Sequence, residues 1–303
     1  MKKTTALLIA LVLILLSTSA LADTWICPNC GRTNTKNFCA DCGTKLETWF
    51  CTSCGEENIS AFCENCGAAK ADQTNALAIL NEGGSMNDTI SDGDLVIGEY
   101  RDATEMNRFD IVFDYFPARG DTIFIKRLIG LPGDKVEQKG GYLYINDERY
   151  NESYINDTYR TDSPQYTVPK IGDQITISIN DTKLSFQLNG EDWDRKKTPL
   201  SAKGEDAKQL KIFNKARKVK LNDGRTVNDE TIVISYDGNE WEQGNWDEIH
   251  PLLTGKTFTI DQDYYFVLGD HRNNSNDSRY MGALPPDMLI GVVTFIKRAT
   301  PEE

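Results

Sequence analysis

The chain has 303 residues and a formal net charge of −13 at pH 7, with a sequence pI near 4.8. Proteins that bind nucleic acid usually carry a basic surface that neutralises phosphates, so this acidic balance argues against a nucleic-acid partner. The same balance suits a soluble domain that works outside the cytoplasm.

The first 22 residues have the pattern of an export signal. The charged start Met1–Lys3 precedes an apolar run, Ala6–Leu16, and an Ala-Leu-Ala motif ends at Ala22. This pattern predicts a cleavable signal peptide, but the stretch is also at the lower limit of length for a membrane anchor. Both interpretations place the rest of the chain outside the cytoplasm, with the lysines on the cytoplasmic side.

All eight cysteines lie within residues 27–66 and form two copies of one pattern, C-x2-C-x8-C-x2-C, with a glycine after each pair. Four thiolates in two tight turns suit a tetrahedral ion, so residues 23–67 are predicted to be tandem zinc-ribbon-like repeats with two structural zinc ions. Disulfides are the alternative outside the cytoplasm. The predicted ligands are Cys27, Cys30, Cys39, Cys42, Cys51, Cys54, Cys63 and Cys66.

The repeats offer no histidine and no open ligand position, which argues against a catalytic metal. About twenty residues cannot bury a sufficient core, so each repeat is expected to depend on its metal for folding. The repeats are expected to bind a protein partner or to hold the following domain away from the membrane. Residues 68–80 are predicted to be a linker.

A glycine-rich turn before Ser85 offers a candidate nucleophile. Gly83 and Gly84 let the backbone turn tightly, which can expose the hydroxyl. The chain has only two histidines, His250 and His271, so a Ser-Lys pair fits its residues better than a Ser-His-Asp arrangement. An ordinary surface turn is the alternative.

One lysine interrupts the apolar run Ile123–Ile129, which is predicted to be a strand. Alternation along a strand places Phe124, Lys126 and Leu128 on one face. A lysine between bulky apolar neighbours loses hydration, which lowers its pKa, and a neutral lysine can act as a general base near neutral pH. The alternative is an edge-strand lysine whose amine reaches water.

Two further segments follow in the chain. Residues 146–257 alternate β-like runs with Asn-Gly and Asp-Gly turns, which predicts a β-rich insertion. Residues 267–280 form a dense polar loop in which Asp277 and Arg279 are placed to pair and Ser275 can hold a lysine amine. An Asn-rich surface turn is the alternative for this loop.

Four blocks together resemble the bacterial type I signal peptidases, the membrane-bound Ser-Lys proteases that remove signal peptides. In chain order they are Gly84–Ile90, Arg108–Phe113, Ile125–Asp134 and Gly269–Arg279. The resemblance implies that Ser85 is the nucleophile and Lys126 the general base, with no cofactor in the reaction. It also implies that exported preproteins are cleaved after an Ala-X-Ala pattern.

The resemblance assigns supporting roles as well. Ser275 would orient the lysine amine, Asp277 and Arg279 would brace the loop, and Met86 would help to shape the substrate cleft. The Ser85 N–H would contribute to the oxyanion hole. The implied fold is mainly β: an antiparallel catalytic core in two parts, residues 81–145 and 258–303, with the β-rich insertion at 146–257 between them and the two small zinc ribbons before them.

Four positions depart from the family pattern. Asp88 stands where a proline is usual, Gly83 where some members carry a serine that donates a second oxyanion hydrogen bond, Phe109 where glycine is common, and His271 where asparagine is common. His271 is interpreted as a loop residue, because Lys126 already fills the role of the base.

The leading hypothesis is therefore a serine endopeptidase at the cell membrane with its catalytic domain outside the cytoplasm, or secreted if the N-terminal segment is removed. Its expected partners are preproteins, the membrane surface and a protein that binds the ribbons. One alternative is a narrow-specificity Ser-Lys protease that processes one secreted partner. Another is a zinc-ribbon binding protein whose peptidase domain is inactive.

Overall fold

The computed structural model describes residues 25–299, except 28, 35–37, 47, 60–61, 71–74, 117–121, 181–182 and 221–224. The segment predicted to be a signal peptide or anchor, residues 1–22, lies outside the described residues. Within the described part of the chain, no helix has the length and apolar character needed to cross a bilayer. The described residues are mainly β-structure, as predicted.

Six strands form the sheet that contains parts of two matching blocks, Arg108–Phe113 and Ile125–Asp134. They are β5 Ala76–Leu80, β6 Leu95–Tyr100, β7 Ile111–Tyr115, β8 Ile123–Gly130, β21 Phe266–Leu268 and β22 Leu289–Lys297. Their order in the sheet is β21-β8-β7-β22-β6-β5, and every neighbouring pair is antiparallel. The N- and C-terminal parts of the predicted catalytic core therefore share one sheet.

Two other sheets lie between β8 and β21 in the sequence. The four-stranded sheet contains β9 Lys135–Lys139, β10 Tyr142–Ile145, β11 Glu148–Tyr150 and β12 Ser163–Thr167, in the order β11-β10-β9-β12. The eight-stranded sheet contains β13 Gln174–Asn180, β14 Lys183–Leu188, β15 Glu191–Trp193, β16 Leu200–Lys203, β17 Gln209–Lys220, β18 Thr226–Tyr236, β19 Asn239–Glu242 and β20 Lys256–Ile260. Its order is β15-β14-β13-β20-β16-β17-β18-β19.

The remaining elements are short. Each cysteine repeat contains a two-stranded sheet: β1 Trp25–Ile26 with β2 Thr33–Asn34, and β3 Trp49–Phe50 with β4 Glu57–Asn58. The α-helices are α1 His250–Leu253 and α2 Ser278–Met281, and single 3-10 turns span Ala103–Glu105, Asp157–Tyr159, Arg272–Asn274 and Pro286–Met288. The second repeat contacts β22, where Thr294 Oγ1 donates a hydrogen bond to the carbonyl oxygen of Thr52.

Four strands depart from the predicted segment boundaries. Residues 76–80, predicted as linker, form the edge strand β5, because this apolar run can pair with β6 along its whole length. Strands β9 and β10, predicted within the first part of the core, pair with β11 and β12. Strand β20 pairs with β13 and β16, so the eight-stranded sheet continues to Ile260, beyond the predicted end at residue 257.

The two faces of the six-stranded sheet pack into different apolar clusters. Phe124 and Leu128 of β8 pack in the cluster that contains Val112, whereas Ile125 packs with Met86 in another. This is the alternation predicted for β8. Because Lys126 pairs directly with Val112 across the β7–β8 ladder, its side chain starts on the Val112 face, inside an apolar environment.

Candidate active site

The turn that carries Ser85 depends on a glycine and is held from the far loop. Gly83 has φ +113°, a backbone conformation that L side chains rarely adopt, and it directly precedes Gly84 and the half-buried Ser85. The backbone N–H of His271 donates to the carbonyl oxygen of Ser85 at 3.1 Å, and its Nδ1 lies 2.9 Å from the carbonyl oxygen of Gly84. Since a carbonyl only accepts, Nδ1 carries the proton. His271 therefore acts as a loop residue that positions the turn.

Lys126 reaches Ser85 from β8. Its Nζ lies 2.9 Å from Ser85 Oγ and 2.9 Å from the carbonyl oxygen of Ile125, and the residue is only 2% exposed. Burial lowers the pKa of Lys126, although the negative charges of Asp114, Asp277 and Asp270 oppose that shift. A neutral amine at this distance can accept the hydroxyl proton, which is the geometry that a Ser-Lys pair requires.

The loop after β21 is rigid because its charges pair with each other. Arg279 donates two hydrogen bonds to the carboxylate of Asp277, both at 2.8 Å, and a third to the carbonyl oxygen of Arg272 at 2.7 Å. Asp277 Oδ2 also accepts from the backbone N–H of Gly269 at 3.0 Å. Asp277 and Arg279 are 0% and 5% exposed in their side chains, so this bidentate pair holds the loop from inside the protein.

Ser275 lies beside the turn of Ser85 without the hydrogen bond that the resemblance implies. A Cβ atom built on Gly269 would lie 2.2 Å from Ser275 Oγ and 2.5 Å from the carbonyl oxygen of Ser85, so the three residues are closely packed. Within the described residues, Ser275 Oγ is buried and has no hydrogen-bond partner, whereas the amine of Lys126 bonds to Ser85 and Ile125. An orienting role for Ser275 is therefore not seen in this geometry.

Met86 is buried rather than presented at a surface. It is 1% exposed and packs with Ile90, Val96 and Phe113, and its sulfur accepts a hydrogen bond from the backbone N–H of Asp270 at 3.3 Å. In this structure Met86 anchors the turn of Ser85 in the apolar core. Its implied contribution to a substrate cleft stays a prediction.

A buried ion pair next to Lys126 was not predicted. Arg127 donates to both oxygens of Asp270, at 2.9 and 2.6 Å, and the hydroxyl of Thr89 donates to the same carboxylate at 2.6 Å. This network joins β8, the loop after β21 and the turn that follows Ser85. All three residues lie inside the matching blocks. Their position in these blocks is the feature of the sequence from which a role at the site could have been predicted.

A second buried ion pair connects the loop to the chain after β11. Arg272 donates to the carboxylate of Glu152, and both side chains are 1% exposed. Arg272 Nε also donates to the carbonyl oxygen of Gly269 at 2.9 Å, and Tyr154 donates to Glu152 at 2.9 Å. Glu152 belongs to no matching block, and nothing in its local sequence predicts its partner.

Two departures from the family pattern have a backbone consequence. Asp88 has φ +70°, which a proline ring excludes, so the turn here differs from one built on proline. Phe109 has φ +73°, a conformation that explains why glycine is common at this position. Packing of the Phe109 ring against Tyr150 and Tyr154, with centroids 5.7 and 6.4 Å away, favours this strained conformation.

The eight cysteines form two clusters of four. In each cluster the sulfur atoms all lie within 4.8 Å of one another, and the closest pairs are 3.4 to 3.6 Å apart. A tetrahedral ion with metal–sulfur bonds of about 2.3 Å requires sulfur–sulfur separations of roughly 3.8 Å. A disulfide bond requires about 2.05 Å. The thiol groups therefore fit a tetrahedral ion, although no histidine or carboxylate joins either cluster within the described residues.

Comparisons with known proteins identify related sequences. The family described as "Signal peptidase, peptidase S26" matches residues 75–297. The chain is 25% identical over 214 residues to signal peptidase I of Streptococcus pneumoniae serotype 4, covering 71% of this chain and 78% of that protein. It is 26% identical over 218 residues to signal peptidase IB of Staphylococcus aureus strain Mu50, covering 71% of this chain and 73% of that protein. A crystal structure of a signal peptidase I from Enterococcus faecalis V583 matches at 22% sequence identity with a TM-score of 0.27. The match covers 62% of this chain and 96% of that one.

Proposed function

Because this chain belongs to the S26 family of signal peptidases, we propose that it cleaves signal peptides from exported preproteins with Ser85 as nucleophile and Lys126 as general base. The observation that carries the assignment of residues is the 2.9 Å contact between Lys126 Nζ and Ser85 Oγ, made by a lysine that is 2% exposed. A solvated lysine would be protonated at neutral pH, whereas burial favours the neutral form that can act as a base.

The reaction proceeds through an acyl-enzyme. Lys126 takes the proton of the Ser85 hydroxyl as the oxygen attacks the scissile carbonyl, and the tetrahedral intermediate forms. The backbone N–H of Ser85 donates to the oxyanion. The protonated Lys126 then gives its proton to the leaving amine, which becomes the N-terminus of the mature protein. Lys126 next activates a water molecule that releases the signal peptide from Ser85.

The surrounding charges keep both groups in place. The Arg127–Asp270 pair holds the backbone next to Lys126. The hydrogen bonds of His271 hold the carbonyl groups of Gly84 and Ser85. The bidentate Asp277–Arg279 pair fixes the loop that supplies these contacts. Preorganisation of this kind avoids rearranging the protein during the reaction.

The proposed substrates are exported preproteins with small residues in an Ala-X-Ala pattern, bound as an extended strand at the membrane surface. An extended peptide can pair with strands of the enzyme while alternate side chains enter pockets. The proposed location of the reaction is the outer side of the cell membrane. A protease for one secreted partner would cleave only one of several preproteins, so the breadth of cleavage separates the two hypotheses.

Ser85→Ala is expected to lower kcat/KM for a fluorogenic peptide with an Ala-X-Ala site by about 10³-fold or more, because removing an activated nucleophile typically has an effect of this size. The matched control is Ser91→Ala, which removes an exposed hydroxyl six positions away and is expected to leave kcat/KM unchanged. Circular dichroism checks that both variants are folded. Activity of Ser85→Ala within tenfold of the wild type would refute the assignment.

We also propose that each cysteine cluster holds one zinc ion. Four sulfur ligands with no open position fit a structural site, so the metal would stabilise the repeat and take no part in the reaction. The two clusters have the same set of ligands, so we assign them the same role. The proposed role is to bind a protein partner. The cysteine sulfurs would have to be deprotonated to bind, so affinity for zinc would fall at low pH.

Removal of the metal is expected to expose two tryptophans. Trp25 packs against Cys27 and Cys39, and Trp49 packs against Cys51 and Cys63, so both indoles depend on the clusters for their burial. Elemental analysis should find about two zinc ions per chain, and chelation should shift tryptophan emission to longer wavelength. The control is the double variant Trp25→Phe/Trp49→Phe, in which the shift should disappear. A purified chain without metal that shows no shift on adding zinc would contradict the proposal.

A further inference from the structure

Asp114 is a buried acid that the reaction described above does not use. It lies on β7, between Phe124 of β8 and Leu289 of β22 in the two ladders, and it is 0% exposed. Neither of its carboxylate oxygens has a hydrogen-bond partner within the described residues. A buried polar group without a partner costs free energy, so its presence in this apolar sheet calls for a physical reason.

The β7–β8 register places Asp114 close to Lys126. Val112 pairs with Lys126 and Asp114 pairs with Phe124, so Asp114 and Lys126 are diagonal neighbours on one face of the sheet. Val112, Phe124 and Leu289 from this region all belong to the same apolar cluster. Two oppositely ionising side chains therefore share an environment of low polarity, in which charges interact more strongly than in water.

The other charges near the pair already have partners of their own. Asp277 faces both Asp114 and Lys126, but its carboxylate is bound by Arg279. Asp270 faces Lys126, and its carboxylate is bound by Arg127. Among the described residues, Lys126 is the positive group whose charge acts on Asp114, while β22 contributes the apolar Leu289 opposite it. Of these four charged side chains, Asp114 and Lys126 are the two that form no salt bridge within the part of the chain that the structure describes.

We propose that Asp114 is a positioning residue for the reaction: it exchanges charge state with Lys126 and so determines the pH range in which that lysine is a free base. The carboxylate form of Asp114 holds Lys126 as the ammonium ion, and the neutral acid form releases it as the amine. This inference rests on the proposed roles of Ser85 and Lys126. It assigns to Asp114 no contact with the substrate.

The direction of the effect follows from the charges. Burial raises the pKa of Asp114 to about 7, with Lys126 opposing the rise and Asp277 adding to it. Above that pH the carboxylate stabilises protonated Lys126 and makes the lysine more basic. Removing the carboxylate therefore lowers the pKa of Lys126, so the rise of activity with pH must move to lower pH.

The kinetic test compares the pH profiles of kcat/KM for the wild type, Asp114→Asn and Asp114→Leu with the Ala-X-Ala peptide. Both variants are expected to shift the midpoint of the acid limb by about one pH unit or more toward lower pH, which corresponds to a rise in kcat/KM of about tenfold or more at a pH below both midpoints. The matched control, Glu105→Gln, removes an exposed acid and should leave the midpoint in place. A midpoint that stays in place or moves to higher pH in both variants would overturn the inference.

A second measurement keeps the inference separate from the proposed function. In the Ser85→Ala background, the NMR titration of the Lys126 side chain reports its pKa without any turnover, and Asp114→Asn should lower that value. A titration that Asp114→Asn leaves unchanged would reject the inference, whatever the kinetics show. If Ser85→Ala instead keeps full activity while the titration shifts, the proposed function fails and the coupling of the two groups stands.

Discussion

Lys126→Met is expected to lower kcat/KM for the Ala-X-Ala peptide by about 10³-fold or more, because the Ser85 hydroxyl loses the group that accepts its proton. Methionine has a similar length and no charge, so it fills the buried space without an ionisable atom. The folded protein should be retained, since an apolar group replaces the buried amine and Asp114, whose pKa burial raises, can stay neutral.

The pH profile adds a second readout for Lys126. In the wild type, activity should rise with pH as the amine loses its proton, and because burial lowers the pKa of Lys126, this rise should occur well below 10.5. Lys139→Met, which removes an exposed lysine of β9, should keep both the rate and the profile. A Lys126→Met protein that keeps a rate within tenfold of the wild type, with the same acid limb, would eliminate Lys126 as the base.

Arg272→Met is expected to lower the free energy of unfolding by about 3–5 kcal/mol, because it leaves the carboxylate of Glu152 buried without an opposite charge, with the hydroxyl of Tyr154 as its remaining donor. The variant also loses the hydrogen bond from Arg272 Nε to the carbonyl oxygen of Gly269. Denaturation in urea should show the loss as a lower midpoint with an unchanged slope. Because Gly269 contacts both Ser275 and the Ser85 turn, activity should fall as well.

Two matched variants separate the buried charge from a general effect of removing arginine. Arg217→Met breaks an exposed pair with Asp229, in which both side chains are nearly half exposed, and should cost less than about 1 kcal/mol. The double variant Arg272→Met/Glu152→Leu should recover much of the lost stability, since it removes the unpaired charge. Equal losses in the single and double variants would show that the charge of Glu152 is not the cause.

Local patterns in the sequence predicted much of the proposed active site. An ionisable side chain within an apolar strand predicted Lys126 as the candidate base, and the glycines before Ser85 predicted a tight turn. Asp114 is likewise an ionisable residue in an apolar strand, since it follows the run Ile111–Phe113 in β7. It lies one position beyond the matching block, and no role was predicted for it. The mainly β fold was also predictable from alternating runs and turn dipeptides.

Contacts between distant segments were not predictable in this way. Glu152 and Arg272 are 120 positions apart, and their pairing depends on how the loop after β21 packs against the chain that follows β11. The edge strand β5 was interpreted as part of a linker, and its alanines, which are uncommon in strands, gave no signal for one. The assignment of β9 and β10 to a separate sheet depends on strand pairing, which local sequence does not encode.

The Arg127–Asp270 pair joins residues that are 143 positions apart in the chain. Closing so long a loop is entropically unfavourable until the intervening segments have folded, and pairings at such sequence separation form slowly. β21 therefore joins the edge of β8 only after the two intervening sheets have been synthesised. A nascent or truncated chain that ends before β21 lacks Asp270 and His271, so it has Ser85 and Lys126 without the supports that align them. The order of the chain thus delays assembly of the proposed active site until synthesis is nearly finished.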